Sequence, residues 1–394
     1  MIRINVPASK SLTQRALLLA ALSDCETRLV SPLDCDDSRV LSEALVSLGA
    51  RIEKDTDAWR VQPPDIFRPP TRPLKLGNAG TAVRFITGLA PLLPGSFVVD
   101  GDPAMRRRPM TGLLATLGEM GVEVVEMGKP CCPPIMLNPG PLEQVPAEVS
   151  LRAGGSSQEL SALLMMGCRL PRGLVVHLEG RFPSRPYVRL TIQTLHAFGI
   201  DLRTSQQEII EIPPKMPHTA EFTIEGDWTS ASYPLAAGWL MNQPVEVDNL
   251  DPQSEQGDRI FKRLLQRLGQ SGDQVFSLQD APDIVPTVVA CALFAQDVTE
   301  ITGVSHLRIK ESDRLAVLAR ETAKLGADVR ELPDGILVRP RPLHGGVQLN
   351  PAGDHRMAMA FGLISLRVPD LVVANPDCVT KSYPGYWDML ARFR

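Results

Sequence analysis

Apolar residues along this chain fall into one recurring phrase: an amphipathic helix, a glycine at its C-terminal end, then a strand in which polar and apolar residues alternate. LSEALVSLGARIEKDTDAWRV (41–61), LLATLGEMGVEVVEM (113–127), LTIQTLHAFGIDLRTSQQEIIEI (190–212), FKRLLQRLGQSGDQVFSL (261–278) and LAVLARETAKLGADVRELPDGILV (315–338) all spell it. A hairpin-like turn and a second strand are clearest in the first and last copies. The helix-ending glycines Gly49, Gly121, Gly199, Gly269 and Gly326 stand 57 to 78 residues apart, which predicts an internal repeat. The C-terminal YWDMLARFR then predicts the helix of a sixth copy, cut short by the chain end.

Between these phrases the pattern predicts further helices at 13–22, 81–91, 158–168, 230–240 and 356–366. Helix-then-strand grammar of this kind argues α/β architecture and says nothing about activity. At 394 residues the chain exceeds one ordinary core, so two domains are expected. Six units divided three and three predict two pseudo-symmetric lobes, with a ligand-binding cleft between them.

Composition narrows the classes. Hydrophobic content of 44% and charged content of 22% suit a soluble globular protein. A formal net charge of -4 gives no general pull toward nucleic acid or an anionic membrane, so any anion site must be built from locally concentrated cations. Seven cysteines without a CxxC pair predict a reduced, cytoplasmic protein with neither a disulfide framework nor a metal site. There is no run of eighteen apolar residues, and the first strand is entered at once, so no signal peptide or membrane anchor is expected.

Local concentrations of cations are what the chain supplies. LRIKESDRLAVL packs Arg308, Lys310, Glu311, Asp313 and Arg314 before an apolar face, and the segment from Glu311 reads as the opening of an amphipathic helix. Lys310 and Arg314 one turn apart would repel unless an anion sat between them. Helix N-terminal N–H groups favour such an anion. A solvated, salt-bridged helix start is the plainer reading of that stretch. PASKSLTQRALLLAAL presents Lys10, Ser11 and Arg15 before an apolar run, with Ser9 or Ser11 as an N-cap. LGNAGTAVRF offers Asn78, Gly80, Thr81 and Arg84, with Thr81 a candidate helix cap; it is not a P-loop, and no GxGxxG is present. GDPAMRRRPM adds Arg106, Arg107 and Arg108, ordinarily surface charge. Ser156, Ser157 and Gln158 form a donor nest or an ordinary cap, and Ser184, Arg185 and Tyr187 follow. The second half contributes GDWTSASYPLAAG, Asp280 and Asp283 before another apolar helix, then Asp354, His355 and Arg356, then Lys381, Ser382 and Tyr383.

The set SKSxxxRALLLAAL, GNAGTAxR, RRP, SSQxLSALLM, GDWTSASYPLAAG, IKESDRL, DHRMAMAF and VTKSYPGYW, in this order over essentially the whole chain, closely resembles the EPSP synthase (3-phosphoshikimate 1-carboxyvinyltransferase) family of enolpyruvyl transferases. The resemblance implies a two-domain inside-out α/β barrel (α+β in its mixed sheets) of six βαβαββ repeats, three per domain. One domain would span 11–226 and the other 1–10 with 227–394, the active site lying in the interdomain cleft. It implies transfer of the carboxyvinyl group of phosphoenolpyruvate to the 5-hydroxyl of 3-phosphoshikimate, releasing phosphate, by a monomer that needs no cofactor. Carried over by motif, Lys10, Ser11, Arg15, Ser156, Ser157, Gln158, Ser184, Asp283 and Lys310 would bind 3-phosphoshikimate. Lys10, Asn78, Gly80, Arg84, Arg108, Gln158, Arg314, Arg356 and Lys381 would bind phosphoenolpyruvate. Asp283 would accept a proton, Glu311 would donate one, and Lys10 would share the traffic.

Charge fits this assignment. Two phosphates and two carboxylates bring roughly five to six negative charges. Lys10, Arg15, Arg84, Arg108, Lys310, Arg314, Arg356 and Lys381, less Asp283 and Glu311, leave +6. So positive an empty site predicts closure driven by ligands. Glu311, between Lys310 and Arg314, is expected to stay ionised until bound anions raise its proton affinity.

Three positions depart from the family pattern: Phe85 where many members have Pro, Glu159 in place of an apolar or aromatic residue, and His306 where some members have an Asn contact that is not carried over. The alternatives are a UDP-N-acetylglucosamine enolpyruvyl transferase and a non-catalytic binding homologue. Against the first, 102–108 lacks that family's reactive Cys; against the second, both Asp283 and Glu311 are present.

Overall fold

Two kinds of helix organise the chain in the computed structural model, which describes residues 1–153, 156–180, 182, 184–205 and 208–394. Helices Lys10–Leu22, Gly80–Gly88, Gln158–Gly167, Trp228–Leu240, Val285–Ala292 and His355–Ile364 are buried on nearly every side. Beyond their polar first turns their sequences are mostly apolar, and a helix hydrophobic on most sides has little face to offer water. The helices of the repeated phrase, such as Asp36–Ser47 and Phe261–Leu268, bury only one stripe.

The chain separates into two compact units, Ala8–Glu225 and Met1–Pro7 with Gly226–Arg394. Each has its own apolar core, one including Leu17, Phe85 and Leu164, the other Tyr233, Val288 and Phe361. In the first unit three inner helices, Lys10–Leu22, Gly80–Gly88 and Gln158–Gly167, pack on one another; in the second, Trp228–Leu240, Val285–Ala292 and His355–Ile364 do so.

Four sheets share one plan, a parallel pair extended by an antiparallel hairpin. Gln274–Ser277 runs parallel to Thr299–Thr302, which pairs antiparallel with Gly335–Arg339, itself antiparallel to Asp328–Leu332. The same order holds for Leu74–Lys75, Phe97–Asp100, Ile135–Asn138 and Glu123–Glu126. It holds for Glu148–Arg152, Leu174–Glu179, Ile209–Ile212 and Arg203–Thr204, and for Glu221–Thr223, Thr27–Val30, Ala58–Gln62 and Arg51–Lys54. In the last of these the leading strand comes from the far end of its unit. The other unit does likewise, Ile2–Ile4 running parallel to Val245–Val247.

Two copies stop at the parallel pair: Ile2–Ile4 with Val245–Val247, and Gln348–Leu349 with Val372–Val373. The 261–278 phrase therefore keeps the helix, glycine and strand of its sequence reading but not the sheet arrangement of the other copies. After helix Phe261–Leu268 the strand Gln274–Ser277 does not return to its own sheet but leads the next one. Gly269 records the difference. Gly49, Gly121, Gly199 and Gly326 take positive φ of 111°, 82°, 77° and 83°, the left-handed turn that reverses a helix into its own hairpin, whereas Gly269 has φ of -81°.

The contrast predicts unequal tolerance to alanine. Gly326→Ala, forced left-handed, should cost about 1–2 kcal/mol, while Gly269→Ala should be neutral or stabilising by up to about 1 kcal/mol. Urea unfolding of both variants measures this, and equal losses would refute the assignment of Gly269 to an ordinary helical conformation.

Candidate active site

In the unit Ala8–Glu225 the expected residues gather at the N-terminal ends of the inner helices. Ser9 caps Lys10–Leu22, its hydroxyl accepting from Leu12 N. Lys10 Nζ donates to Asp37 Oδ2 at 2.9 Å, and both groups are largely buried. Arg15 is buried and clamps three elements. Its Nε donates to Thr191 Oγ1 at 2.8 Å, Nη1 to the Ser11 carbonyl at 2.8 Å, and Nη2 to Ser161 Oγ at 3.3 Å and the Tyr187 carbonyl at 3.0 Å. Burial lowers its pKa to about 10.

Gln158 Nε2 donates to Thr81 Oγ1 at 2.8 Å, tying the second inner helix to the third, and Gln158 Oε1 is buried with no hydrogen-bond partner among the described residues. Thr81 is not a cap: helix Gly80–Gly88 begins after Ala79 with no side-chain cap, and the Thr81 hydroxyl is taken by Gln158. Ser157 stands at the start of Gln158–Gly167, and Gln158 N donates to Ser156 Oγ at 3.2 Å.

Of the three consecutive arginines only Arg108 is buried. It donates from Nη1 to Asn78 Oδ1 at 3.2 Å, whereas Arg106 pairs with Asp100. The Arg108 guanidinium lies over Gly80, where a methyl group would come within 2.7 Å of Nη2. Ser184, at the start of Arg185–Ala197, has φ of 58°, a left-handed conformation that costs a non-glycine residue on the order of 1 kcal/mol.

Two of the departures acquire a physical account. Phe85 is wholly buried, with the Arg15 guanidinium carbon 5.7 Å from its ring centroid, so it supports that cation from below. Glu159 is buried and accepts from Leu113 N at 2.7 Å, capping helix Thr111–Glu119 from a neighbouring element. Its other oxygen stands 3.9 Å from Arg84 Nε. Burial pushes the Glu159 carboxyl up, while Arg84 and the backbone N–H groups of Leu113 and Gly112 pull it back. Arg84 donates to the carbonyls of Gly80 and Pro109, bracing the two loops that present Gly80 and Arg108.

The second unit is organised on Arg314, whose side chain is 1% exposed. Its Nε donates to Asp354 Oδ2 at 2.8 Å, Nη1 to Asp283 Oδ1 at 3.0 Å and Nη2 to Glu311 Oε2 at 2.9 Å. Arg356 Nη2 holds the other Asp283 oxygen at 2.7 Å. Burial opposes the Asp283 anion, yet Arg356, Arg314 and Lys310 together hold its carboxyl well below the usual range. Lys381 ends the short helix Pro376–Lys381, which packs on His355–Ile364.

The helix expected from Glu311 begins instead at Arg314. Asp313 takes the N-cap position, accepting from Ala316 N at 3.1 Å, so Lys310 and Glu311 lie ahead of the helix and Glu311 reaches Arg314 from outside it. Asp283 is likewise no cap but part of a short turn, Pro282–Ile284.

Several pairings escaped sequence reading. Asp37, Glu159 and Asp354 are carboxylates within 4 Å of Lys10, Arg84 and Arg314 respectively, and they bring the +6 of the sequence count to +3. That removes much of the repulsion from which ligand-driven closure was inferred. Asp354 did carry a signal, since it caps His355–Ile364, but a cap does not announce its second role. His306 is largely buried with Nε2 unpartnered among the described residues, and burial, then Lys310, lowers its pKa to about 4, leaving a neutral imidazole.

Asp258, buried and accepting from the Thr229 hydroxyl, is raised to about 7 by burial and then by the Asp283 charge. Because its proton affinity is higher in the fold than in the unfolded chain, stability gained below about pH 4 is lost as pH rises through about 7. Relative to Asp258→Asn, the native protein should therefore lose at least about 1 kcal/mol between those limits. Denaturant unfolding across this range reads it, and parallel stability curves would contradict it.

Comparison with known proteins follows the same lines. The family model described as EPSP synthase (3-phosphoshikimate 1-carboxyvinyltransferase) matches residues 2–390. The curated 3-phosphoshikimate 1-carboxyvinyltransferase of Methanospirillum hungatei is 34% identical over 413 residues, covering 98% of this chain and 95% of that protein. That of Syntrophobacter fumaroxidans is 35% identical over 416 residues, covering 100% and 97%. Among solved structures, an EPSP synthase from Acinetobacter baumannii superposes with TM-score 0.80 at 21% identity, covering 99% of this chain and 95% of that one. The enolpyruvyl transferase NikO from Streptomyces tendae gives 0.75 at 17% identity, covering 100% and 94%. These two likenesses are of fold.

Proposed function

The chain belongs to the EPSP synthase family, and from that premise we propose which of its side chains carry the reaction. The activity is the family's: the carboxyvinyl group of phosphoenolpyruvate passes to the 5-hydroxyl of 3-phosphoshikimate, and phosphate is released. The substrates are small molecules.

Lys10, Ser11, Arg15, Ser156, Ser157, Gln158, Ser184, Asp283 and Lys310 bind 3-phosphoshikimate in this reading. Asn78, Gly80, Arg84, Arg108, Gln158, Arg314, Arg356 and Lys381, again with Lys10, bind phosphoenolpyruvate. Arg84, with its bonds to Gly80 and Pro109, acts more by bracing than by touching substrate. His306 offers its neutral imidazole to a substrate hydroxyl, which would satisfy the buried Nε2.

One observation supports the proton roles above all: each oxygen of Asp283 is held by a different arginine, and both arginines are assigned to phosphoenolpyruvate. With both guanidinium groups on it, Asp283 is too weak a base. Phosphate and carboxylate oxygens that draw Arg314 and Arg356 away raise its proton affinity, so the base is released by the substrate it serves. Asp283 then takes the proton of the 5-hydroxyl as its oxygen bonds to C2 of phosphoenolpyruvate, and Glu311 gives a proton to C3. In the second half Glu311, now a carboxylate, takes a proton back from C3 as phosphate leaves C2 and the vinyl double bond re-forms. The proton held by Asp283 goes to the departing phosphate. Lys10, paired with Asp37, shares the proton transfers.

We place the protein in the cytoplasm as a monomer without nucleic-acid partners, supported by a net charge of -4 and seven free cysteines. No helix among the described residues is long and apolar enough to cross a membrane.

Phosphate release should be observed with 3-phosphoshikimate and not with UDP-N-acetylglucosamine; the reverse would reassign the substrate. Glu311→Gln and Asp283→Ala should lower kcat by about 100-fold or more while binding changes far less, and near-normal turnover in either would remove that residue from the mechanism. Gly80→Ala, displacing Arg108, should raise KM for phosphoenolpyruvate about tenfold or more with little effect on 3-phosphoshikimate affinity. An unchanged KM would separate Arg108 from that substrate.

A further inference from the structure

Away from the residues assigned above, the unit Ala8–Glu225 brings three metal-ligating side chains of different chemistry to one point. Ligand atoms of Asp24, Cys25 and His218 all lie within 4.8 Å of one another. Asp24 and Cys25 follow the end of helix Lys10–Leu22, and His218, 194 residues beyond Asp24, precedes the strand Glu221–Thr223.

The backbone of both segments is already fixed. Asp24 N and Ser23 Oγ donate to the Pro217 carbonyl at 3.1 and 2.8 Å, Thr27 Oγ1 donates to the Thr219 carbonyl at 2.8 Å, and Arg28 N donates to the Ala220 carbonyl at 2.9 Å. Only side-chain rotation remains to be chosen. At present Asp24 Oδ1 and His218 Nδ1 share a hydrogen bond of 2.7 Å, and Cys25 Sγ lies 3.6 Å from the Thr219 carbonyl and from Ser23 Oγ.

A thiol, an imidazole and a carboxylate together select a borderline-soft divalent ion. Magnesium and calcium take oxygen ligands, whereas zinc takes S, N and O, and three protein ligands leave a fourth position for water. Zinc bonds of about 2.0–2.3 Å put ligand atoms roughly 3.3–3.7 Å apart in a tetrahedron. Asp24 and His218 would have to spread from 2.7 Å, and their side chains, 44% and 66% exposed, can rotate to do so. The same exposure admits the water.

We propose that Asp24, Cys25 and His218 bind one zinc-like divalent cation, which clips the end of the first inner helix to the last strand of its unit. That strand is three residues long and, among the described residues, pairs only with Thr27–Val30, so a clip beside it secures the shorter edge strand of the sheet. Binding a metal displaces protons from thiol and imidazole, so the affinity rises with pH.

The test uses the full chain, stripped with chelator and titrated with zinc ion against a chromophoric indicator. One equivalent should bind with Kd of about 10 µM or tighter at pH 7.5. His218→Ala and Cys25→Ser should each weaken it at least about tenfold, while Cys378→Ser, a thiol of the other unit, should not. Zinc should raise Tm of the native chain and not of His218→Ala. Cobalt loading should give a thiolate charge-transfer band that Cys25→Ser abolishes. Binding unaffected by His218→Ala, or weaker than about 100 µM in the native chain, would reduce the cluster to an exposed Asp–His pair and overturn the proposal.

Discussion

The Arg314 guanidinium, at 1% exposure, has given up its water and draws three carboxylates inward in return. Asp283 comes from the turn Pro282–Ile284, Glu311 from the turn before helix Arg314–Ala323, and Asp354 from the start of His355–Ile364. Three separate elements are thereby fixed by one side chain, and Asp354, wholly buried, both caps its helix and balances the arginine. Deleting Arg314 would leave the buried Asp354 carboxylate without its arginine, at a cost of roughly 3–5 kcal/mol. The ion cluster is thus structural before it is chemical. In the proposed mechanism Asp283 therefore starts out quenched as a base, and competition for Arg314 and Arg356 would restore its basicity.

Much of this was readable from the chain. Helix-glycine-strand periodicity marked the outer helices and their hairpins, and all-apolar runs marked the inner ones, because burial on every side erases amphipathicity. Polar residues at the heads of those runs gave nearly every candidate side chain. Partners were harder to see. Asp37 sits in an acidic first helical turn and Glu159 inside an apolar helix, and nothing local says that the first answers Lys10, 27 residues away, or that the second caps a helix 46 residues back. Carboxylates paired at long range are invisible to spacing, and omitting them doubled the apparent positive charge. Position 311 misled for a related reason: its charges resemble a helix opening, but Asp313 is the better cap and the helix waits for it.

The fourth copy of the phrase shows how far repetition can be trusted. Its helix and glycine match the others in sequence, yet without a second strand to pair with, Gly269 stays in a right-handed conformation and the next strand is passed to another sheet. A glycine after a helix is permission for a left-handed turn, and the pairing of the residues that follow decides whether it is used.

Caps explain where anions are expected to enter. Among the inner helices, Lys10–Leu22, Trp228–Leu240 and His355–Ile364 have side-chain caps from Ser9, Asp227 and Asp354, whereas among the described residues the N-cap positions of Gly80–Gly88, Gln158–Gly167 and Val285–Ala292 make no side-chain cap bond. A helix start without a cap exposes N–H groups whose partial positive charge favours an anion. Gly80 and Gln158 head two of these helices, and at Gly80 the Arg108 guanidinium overlies the backbone so closely that no side chain fits between. Sequence that withholds a cap and a methyl group at one point leaves a place that, in the proposed reading, takes the oxygens of a phosphorylated substrate on backbone donors and the Arg108 guanidinium.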